Sequence, residues 1–513
     1  FLAIPAGGRE LTRPRVPAFK LAPAMVATTA QTQAEGLTTR SGVELARAIR
    51  SGETSAREVL EAHIEVLERR NPELNALVAT RLDEARAEAD AADARVAAAG
   101  DDEELPPLLG VPVTIKESFA LAGMPHTSGS VHRRDVIAER SATVVQRLID
   151  AGAIPLGVTN VSELTMWIEA ENRVWGRTNN AYDQRRTAGG SSGGEGAAIG
   201  AGIAPIGIGS DFGGSIRLPA FFNGCFGHKP TGCVVPTSGH YPSANERGAR
   251  MIGIGPVARS AVDLMPVLRT IAGPDGEDEA VRPVKLGDPA DVSIEGLRVV
   301  ISDDISVIPA SVELRNARIR AARALHELGA DVVRVSLPSV RTVVEPYLNA
   351  VRESGAIRQI LVESSGTDLP PVRRLLADAV RGRSTYTTAL LLTIVSENLA
   401  QYLPEALQRR ALAAERALAR EVTEVIGDGV LLHLPFPRVA PRHGRTVGRP
   451  WVLASTALFN LLGLPATQVP LGLNEKGLPL GVQVAAGRDR DHVAIAVAMA
   501  LERAFGGWVP PQR

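Results

Sequence analysis

The sequence predicts an α/β protein, and three observations carry that prediction. Stretches with the apolar period of a helix, opened by capping residues, recur along the 513 residues. Short β-rich runs stand between them, most plainly Val111–Ile115 and Ile154–Val158. Further on, a strand–helix–strand pattern reads as 297–302, a helix from about Ser311, and 331–335.

The elements follow in order. The first two dozen residues carry prolines and arginines without periodicity. Residues 1–36 read as a disordered leader or expression remnant, with Met25 as a natural start, and 37–513 as a single domain. From Ser41 the pattern turns helical. Ser55-Ala56-Arg57-Glu58 is a capping-box sequence for a helix whose apolar side carries Val59, Leu60, Ile64 and Leu67, with Pro72 expected to end it. A second helix is expected over Leu82–Ala99, closed by Gly100. Val111–Ile115 then enters the interior and delivers Lys116 at its end, with Glu117 next. A helix over 142–151 and the strand 154–158 follow. Between 341 and 425 the chain is helical and rich in Ala, Leu and Arg, with Tyr386 and Tyr402 on a chain of only 4% aromatics. Residues 433–444, HLPFPRVAPRHG, read as a proline-rich loop of the sort that borders a site.

Bulk properties exclude several classes. The 56 basic and 57 acidic residues leave a net charge of −1, so there is no electrostatic footprint for nucleic acid. No apolar run is long enough to span a bilayer. Cys225 and Cys233 read as buried thiols of a cytoplasmic enzyme rather than a bridge, and His228 between them does not make a zinc site.

The chemistry concentrates in Thr187–Pro219, TAGGSSGGEGAAIGAGIAPIGIGSDFGGSIRLP. Gly, Ala and Ile dominate it, and Glu195, Asp211 and Arg217 are its only charges. Such a run can be a small-residue core segment and nothing more. Gly189–Gly193 also fits the G-x-S-x-G nucleophile elbow, but no acid and histidine follow in recognisable context. A third reading is what a family resemblance implies: a Ser-Ser-Lys site joining Ser191 and Ser215, 24 residues apart, with Lys116, 75 residues before Ser191. Buried among Gly and Ala, a lysine becomes a base near neutral pH.

That third reading is where the sequence resembles a known family. Gly189–Ala220, with Asp211, Ser215, Arg217 and Pro219 in place, resembles the signature of the amidase signature family. So do Gly110–Glu117 (GVPVTIKE), the lead-in through Ser162, Glu163, Asn172, Gly176, Arg177 and Thr178, and the HKPT of His228–Thr231. Asn180-Ala181 departs from the pattern, which has proline at the second position, so a slightly different turn is expected. FFNGCFGHKP is similar to the fatty acid amide hydrolase 2-like branch, and the chain resembles bacterial amidases and urethanases. The likeness runs from about Ser41 to the C-terminus and is weakest across 341–425.

The resemblance implies a large, mixed, twisted sheet sandwiched by helices (α/β/α), with 341–425 as a helical, lid-like insertion. It implies Ser215 as nucleophile, Ser191 as relay behind a cis peptide, and Lys116 as base. Backbone N–H groups of Phe212, Gly213, Gly214 and Ser215 would form the oxyanion hole, with Asp211 and Arg217 fixing the loop. Met166, Trp167 and Ser192 would line the substrate pocket, and His228 would be structural. No metal and no organic cofactor are implied. The expected partner is a small-molecule amide or carbamate, with no nucleic acid and no membrane span; a homodimer is left open. Two alternatives stand beside a serine amidase: the glutamine-hydrolysing subunit of a tRNA-dependent amidotransferase, and a non-catalytic binding protein on the same fold. FFNGCFGHKP and GGWVPP point away from the first, and retention of Lys116, Ser191 and Ser215 points away from the second. The 341–425 section and the loop 435–443 are expected to select the acyl or carbamoyl partner.

Overall fold

Pro112–Lys116 is buried at every residue, as an apolar strand covered on both faces must be. It belongs to a sheet of eleven strands in a computed structural model that describes residues 36–100, 103–243, 245–304, 308–354, 356–366, 370–400 and 404–512. In chain order these strands are β1 (Leu77–Thr80), β2 (Pro112–Lys116), β3 (Ile154–Thr159), β4 (Ile206–Asp211), β5 (Phe226–Lys229) and β6 (Gly253–Ala258). They continue with β7 (Arg298–Ser302), β8 (Asp331–Val335), β9 (Val430–His433), β10 (Ala466–Leu473) and β11 (Pro479–Ala486). Across the sheet the order is β1-β3-β2-β4-β6-β5-β10-β11-β9-β7-β8. β3, β2 and β4 are mutually parallel, as are β9, β7 and β8, while the intervening pairs are antiparallel. The sheet is therefore mixed, and helices flank it. Gly193–Gly200 lies against β2, β3 and β4, and Asp491–Phe505 against β10 and β11.

Local structure follows the sequence closely in the first half. Ser55 caps the helix Ala56–Leu74 through a complete capping box. Pro72 does not end that helix, contrary to expectation. It lies in the last turn, where its missing N–H costs a single bond, and Asn75 terminates the helix in the left-handed conformation at φ 49°. In Gly193–Gly200 small residues let the helix approach the sheet. A Cβ on Gly194 would lie 2.4 Å from the backbone nitrogen of Asn160. The expected strand–helix–strand unit is present as β7, Val312–Glu327 and β8.

The section 341–425 forms five helices: Val344–Glu353, Ala356–Ser365, Val372–Val380, Thr388–Ala400 and Glu405–Ile426, the last ending one residue beyond the section. Ile360, Leu361, Leu375, Leu390 and Ile394 gather with Leu164 into an apolar cluster separate from the main core. Tyr386 joins it; Tyr402 lies outside the described residues, as do residues 1–35 of the expected leader. Cys225 and Cys233 are both free, the first buried and the second half-buried. No helix among the described residues is long and apolar enough to cross a membrane, and no cluster of metal-ligating side chains occurs among them.

Candidate active site

The parallel pairing of β2 with β4 decides where Lys116 sits. Val113 lies beside Ile206 and Ile115 beside Ile208, so the two strands end together and bring Lys116 against Ser210. This is the carboxyl end of adjacent parallel strands, where α/β sheets place ligands. Lys116 is fully buried, and three oxygens surround its amine: Ser191 Oγ at 2.7 Å, Ser210 Oγ at 2.8 Å and the Ser210 carbonyl at 3.5 Å. Among the described residues no carboxylate forms an ion pair with it. Burial lowers its pKa from 10.5 to about 7, against the opposing pull of Asp211 and Glu195.

Glu195 lies beneath, accepting from Thr114 Oγ1 at 2.6 Å and Thr159 Oγ1 at 2.8 Å. Burial raises it. A Cβ on Gly207 would lie 1.8 Å from its carboxylate, so only glycine leaves room for this side chain.

The loop after β4 is held from several sides. Asp211 accepts from the N–H groups of Gly214 at 2.7 Å and Ile216 at 3.1 Å, and two guanidinium bonds from Arg217 at 3.0 Å each. Both side chains are fully buried. Burial alone would raise the Asp211 carboxyl, but the Arg217 guanidinium holds it well below the usual carboxylate range. Arg217 also donates to Gln483 and Asn460, and Thr456 Oγ1 donates to the Gly213 carbonyl at 2.6 Å. Asp211 and Arg217 thus fix the loop, as expected.

Ser191 and Ser215 share the wall of one cavity of about 250 Å³. The Gly190–Ser191 peptide is cis. Ser215 Oγ makes no hydrogen bond among the described residues, so its link to Ser191 is open in this structure, while Ser191 is joined to Lys116. Met166 and Trp167 line the cavity, and Trp167 Nε1 donates to Thr446 Oγ1 at 2.9 Å.

Two expected roles need correction. Ser192 does not line the cavity: it is fully buried behind the site, and its Oγ donates to the Ser210 carbonyl at 3.3 Å. Gly214 has no free N–H to offer an oxyanion, because Asp211 takes it. Phe212, Gly213 and Ser215 keep theirs without an acceptor among the described residues. The loop 435–443 also stays off the cavity wall. It packs against the main core through Phe436, which meets Phe222 edge-on at 5.2 Å.

The helical section does reach the cavity, through Tyr347, Leu348, Val351, Arg352, Ile360 and Thr393. His240 and Ser210 line it too, and neither stood out in the sequence. Ser210 is marked only by preceding Asp211 at a strand end. His240 lies 25 residues beyond Ser215 in a turn that ends in a cis Tyr241–Pro242 bond. His228, by contrast, is structural as expected, bonded to Thr467 and Asp491 in the core. At the departure Asn180-Ala181, the Ala181 N–H donates to Asn223 Oδ1 at 3.0 Å, a bond proline could not make.

A protein-family profile described as Amidase matches residues 58–494. The chain belongs to the amidase signature family. This amidase is 40% identical over 493 residues to fatty-acid amide hydrolase 2 of Homo sapiens, covering 93% of this chain and 91% of that one. It is 33% identical over 485 residues to a glutamyl-tRNA(Gln) amidotransferase subunit of Oleidesulfovibrio alaskensis, covering 90% and 96%. Among solved structures, 6-aminohexanoate cyclic dimer hydrolase matches with a TM-score of 0.77 at 27% identity, over 91% of this amidase and 97% of that chain. The chain is accordingly an amide-hydrolysing enzyme of mixed α/β fold.

Proposed function

We propose that this amidase cleaves amides, and aryl carbamates besides, through an ester formed on Ser215, with Lys116 as base and Ser191 as relay. The observation that carries the reading is the buried amine of Lys116, 2.7 Å from Ser191 Oγ and, among the described residues, free of any contacting carboxylate. Ser215 Oγ attacks the carbonyl carbon. Its proton passes to Ser191 while the Ser191 proton passes to Lys116, which becomes the ammonium. The open Ser215–Ser191 link closes as substrate binds, since catalytic hydrogen bonds tighten in the complex. The N–H groups of Phe212, Gly213 and Ser215 receive the oxyanion. On collapse the C–N bond breaks, the leaving nitrogen takes a proton from Ser191, and Lys116 replaces it. Water then repeats the relay, releases the acid and frees Ser215. An aryl carbamate loses its phenol in the same way and leaves a carbamoyl-enzyme.

The apolar wall, with Met166, Trp167, Leu348, Val351 and Ile360, supports small aryl or alkyl acyl groups as substrates. The free thiols Cys225 and Cys233 support a cytoplasmic setting, and nothing in the reading calls for nucleic acid or a second protein; a homodimer is compatible with it. The test is a panel of anilides, aryl carbamates, esters, long-chain amides and glutamine, with intact-mass detection of the Ser215 ester. Turnover of anilides and aryl carbamates with a trapped adduct is expected. Turnover of glutamine alone would favour the amidotransferase reading.

A further inference from the structure

His240 is fully buried except for the edge it turns to the cavity, and both its ring nitrogens are bonded. Nδ1 lies 2.9 Å from the Pro242 carbonyl, and Nε2 lies 2.9 Å from Ser210 Oγ. A carbonyl oxygen only accepts, so Nδ1 must carry a proton. Burial, and then the charge of Lys116, lower the ring's pKa to about 3, which keeps it neutral and leaves Nε2 bare. The Phe119 ring closes the site edge-on at 4.8 Å. The titratable groups facing this cluster are Lys116 and His126 around His240, and Asp211 and Glu195 around Lys116.

A bare Nε2 must accept, so the Ser210 hydroxyl donates to it and presents only lone pairs to Lys116. The neutral amine then spends an N–H on Ser210 Oγ at 2.8 Å. Its single lone pair is left for Ser191 Oγ–H at 2.7 Å. We propose that His240 is a positioning residue that holds the Ser210 proton away from Lys116, so that the amine accepts only from Ser191. This rests on Lys116 being the base. Without His240 the Ser210 hydroxyl turns to the amine's lone pair and competes with Ser191 for it.

A double-mutant cycle tests this, read as the rate of Ser215 labelling by a fluorophosphonate at about pH 9, where a lysine titrating near 7 is neutral. His240→Leu should slow labelling by about three- to tenfold, what one redirected neutral hydrogen bond is worth. In a Ser210→Ala background, with no hydroxyl to misdirect, the same change should cost no more than about twofold. His240→Gln can accept from Ser210 and donate to Pro242, so it should stay within about twofold of wild type. A purely structural histidine would give equal losses in both backgrounds, and that result, or no loss in either, overturns the proposal alone. A wild-type labelling rate that is flat from about pH 6 to 9 overturns the base assignment and the proposal together. The imidazole ¹⁵N shifts of the wild-type enzyme give a check that needs no folded Leu variant. A protonated Nδ1 and bare Nε2 at His240 are expected; the opposite tautomer or an imidazolium overturns it.

Discussion

Among the described residues two lysines, Lys116 and Lys229, are buried and lowered to about 7 by that burial, and of the two Lys116 is the one bonded to serines on the cavity wall. Lys229 donates to the Pro230 carbonyl at 2.6 Å inside the core. The shift alone does not mark a base; the proposed role of Lys116 rests on the neighbouring Ser191 hydroxyl and the cavity beyond it. Lys116→Ala should lower kcat/KM on an anilide by about 10²- to 10⁴-fold, the contribution of a positioned base. In the proposed mechanism the neutral amine is the working form, and the sign of the pH dependence follows from that. Activity should rise with pH through about 7 and fall away below it as the ammonium forms. Activity undiminished well below that pH would contradict the assignment. Lys116 was legible in the sequence as a residue delivered by a strand end. Its two flanking oxygens from Ser210 were not, because they depend on which strand pairs with β2.

The loop between β4 and the helix Arg217–Phe222 shows how one element carries both stability and geometry. Arg217→Met would leave Asp211 as a buried, unpaired charge, and should cost about 3–5 kcal/mol in urea unfolding. A loss below about 1 kcal/mol, the worth of an exposed pair, would mean the pair is not holding the loop. The same loop is crowded from the side of the helical section 341–425. A Cβ on Gly213 would lie 2.4 Å from Tyr347 Oη, whose hydroxyl donates to the Phe212 carbonyl at 3.3 Å. Gly213→Ala should therefore cost about 1–3 kcal/mol from overpacking. Tyr347→Phe in the same chain should recover part of it, and no recovery would place the strain elsewhere. For selectivity, Leu348→Ala and Val351→Ala should change the anilide to aryl-carbamate ratio of kcat/KM by up to about tenfold. Changes in 435–443, off the cavity wall, should leave the ratio fixed, and the reverse pattern would contradict this division.

Across the whole molecule, the parts legible in the sequence were those with local causes. The capping box at Ser55, the buried run ending at Lys116 and the small-residue stretch around Ser191 and Ser215 each state their own geometry. What escaped was set mostly by long-range pairing: Ser210 and His240 beside Lys116, and Tyr347 from the helical section over the loop; the Gly214 N–H given to Asp211 three residues before it is a local turn of that loop. Ser192 was misassigned because adjacency to Ser191 says nothing about which way a residue faces once a helix begins at Gly193. The pH dependence of fluorophosphonate labelling, with the modified residue mapped by mass spectrometry, tests the whole arrangement most directly. One adduct on Ser215, forming at a rate that climbs through about pH 7 and is lost in Lys116→Ala, is expected. An adduct on Ser191, or a rate on Ser215 indifferent to both pH and Lys116, would contradict it.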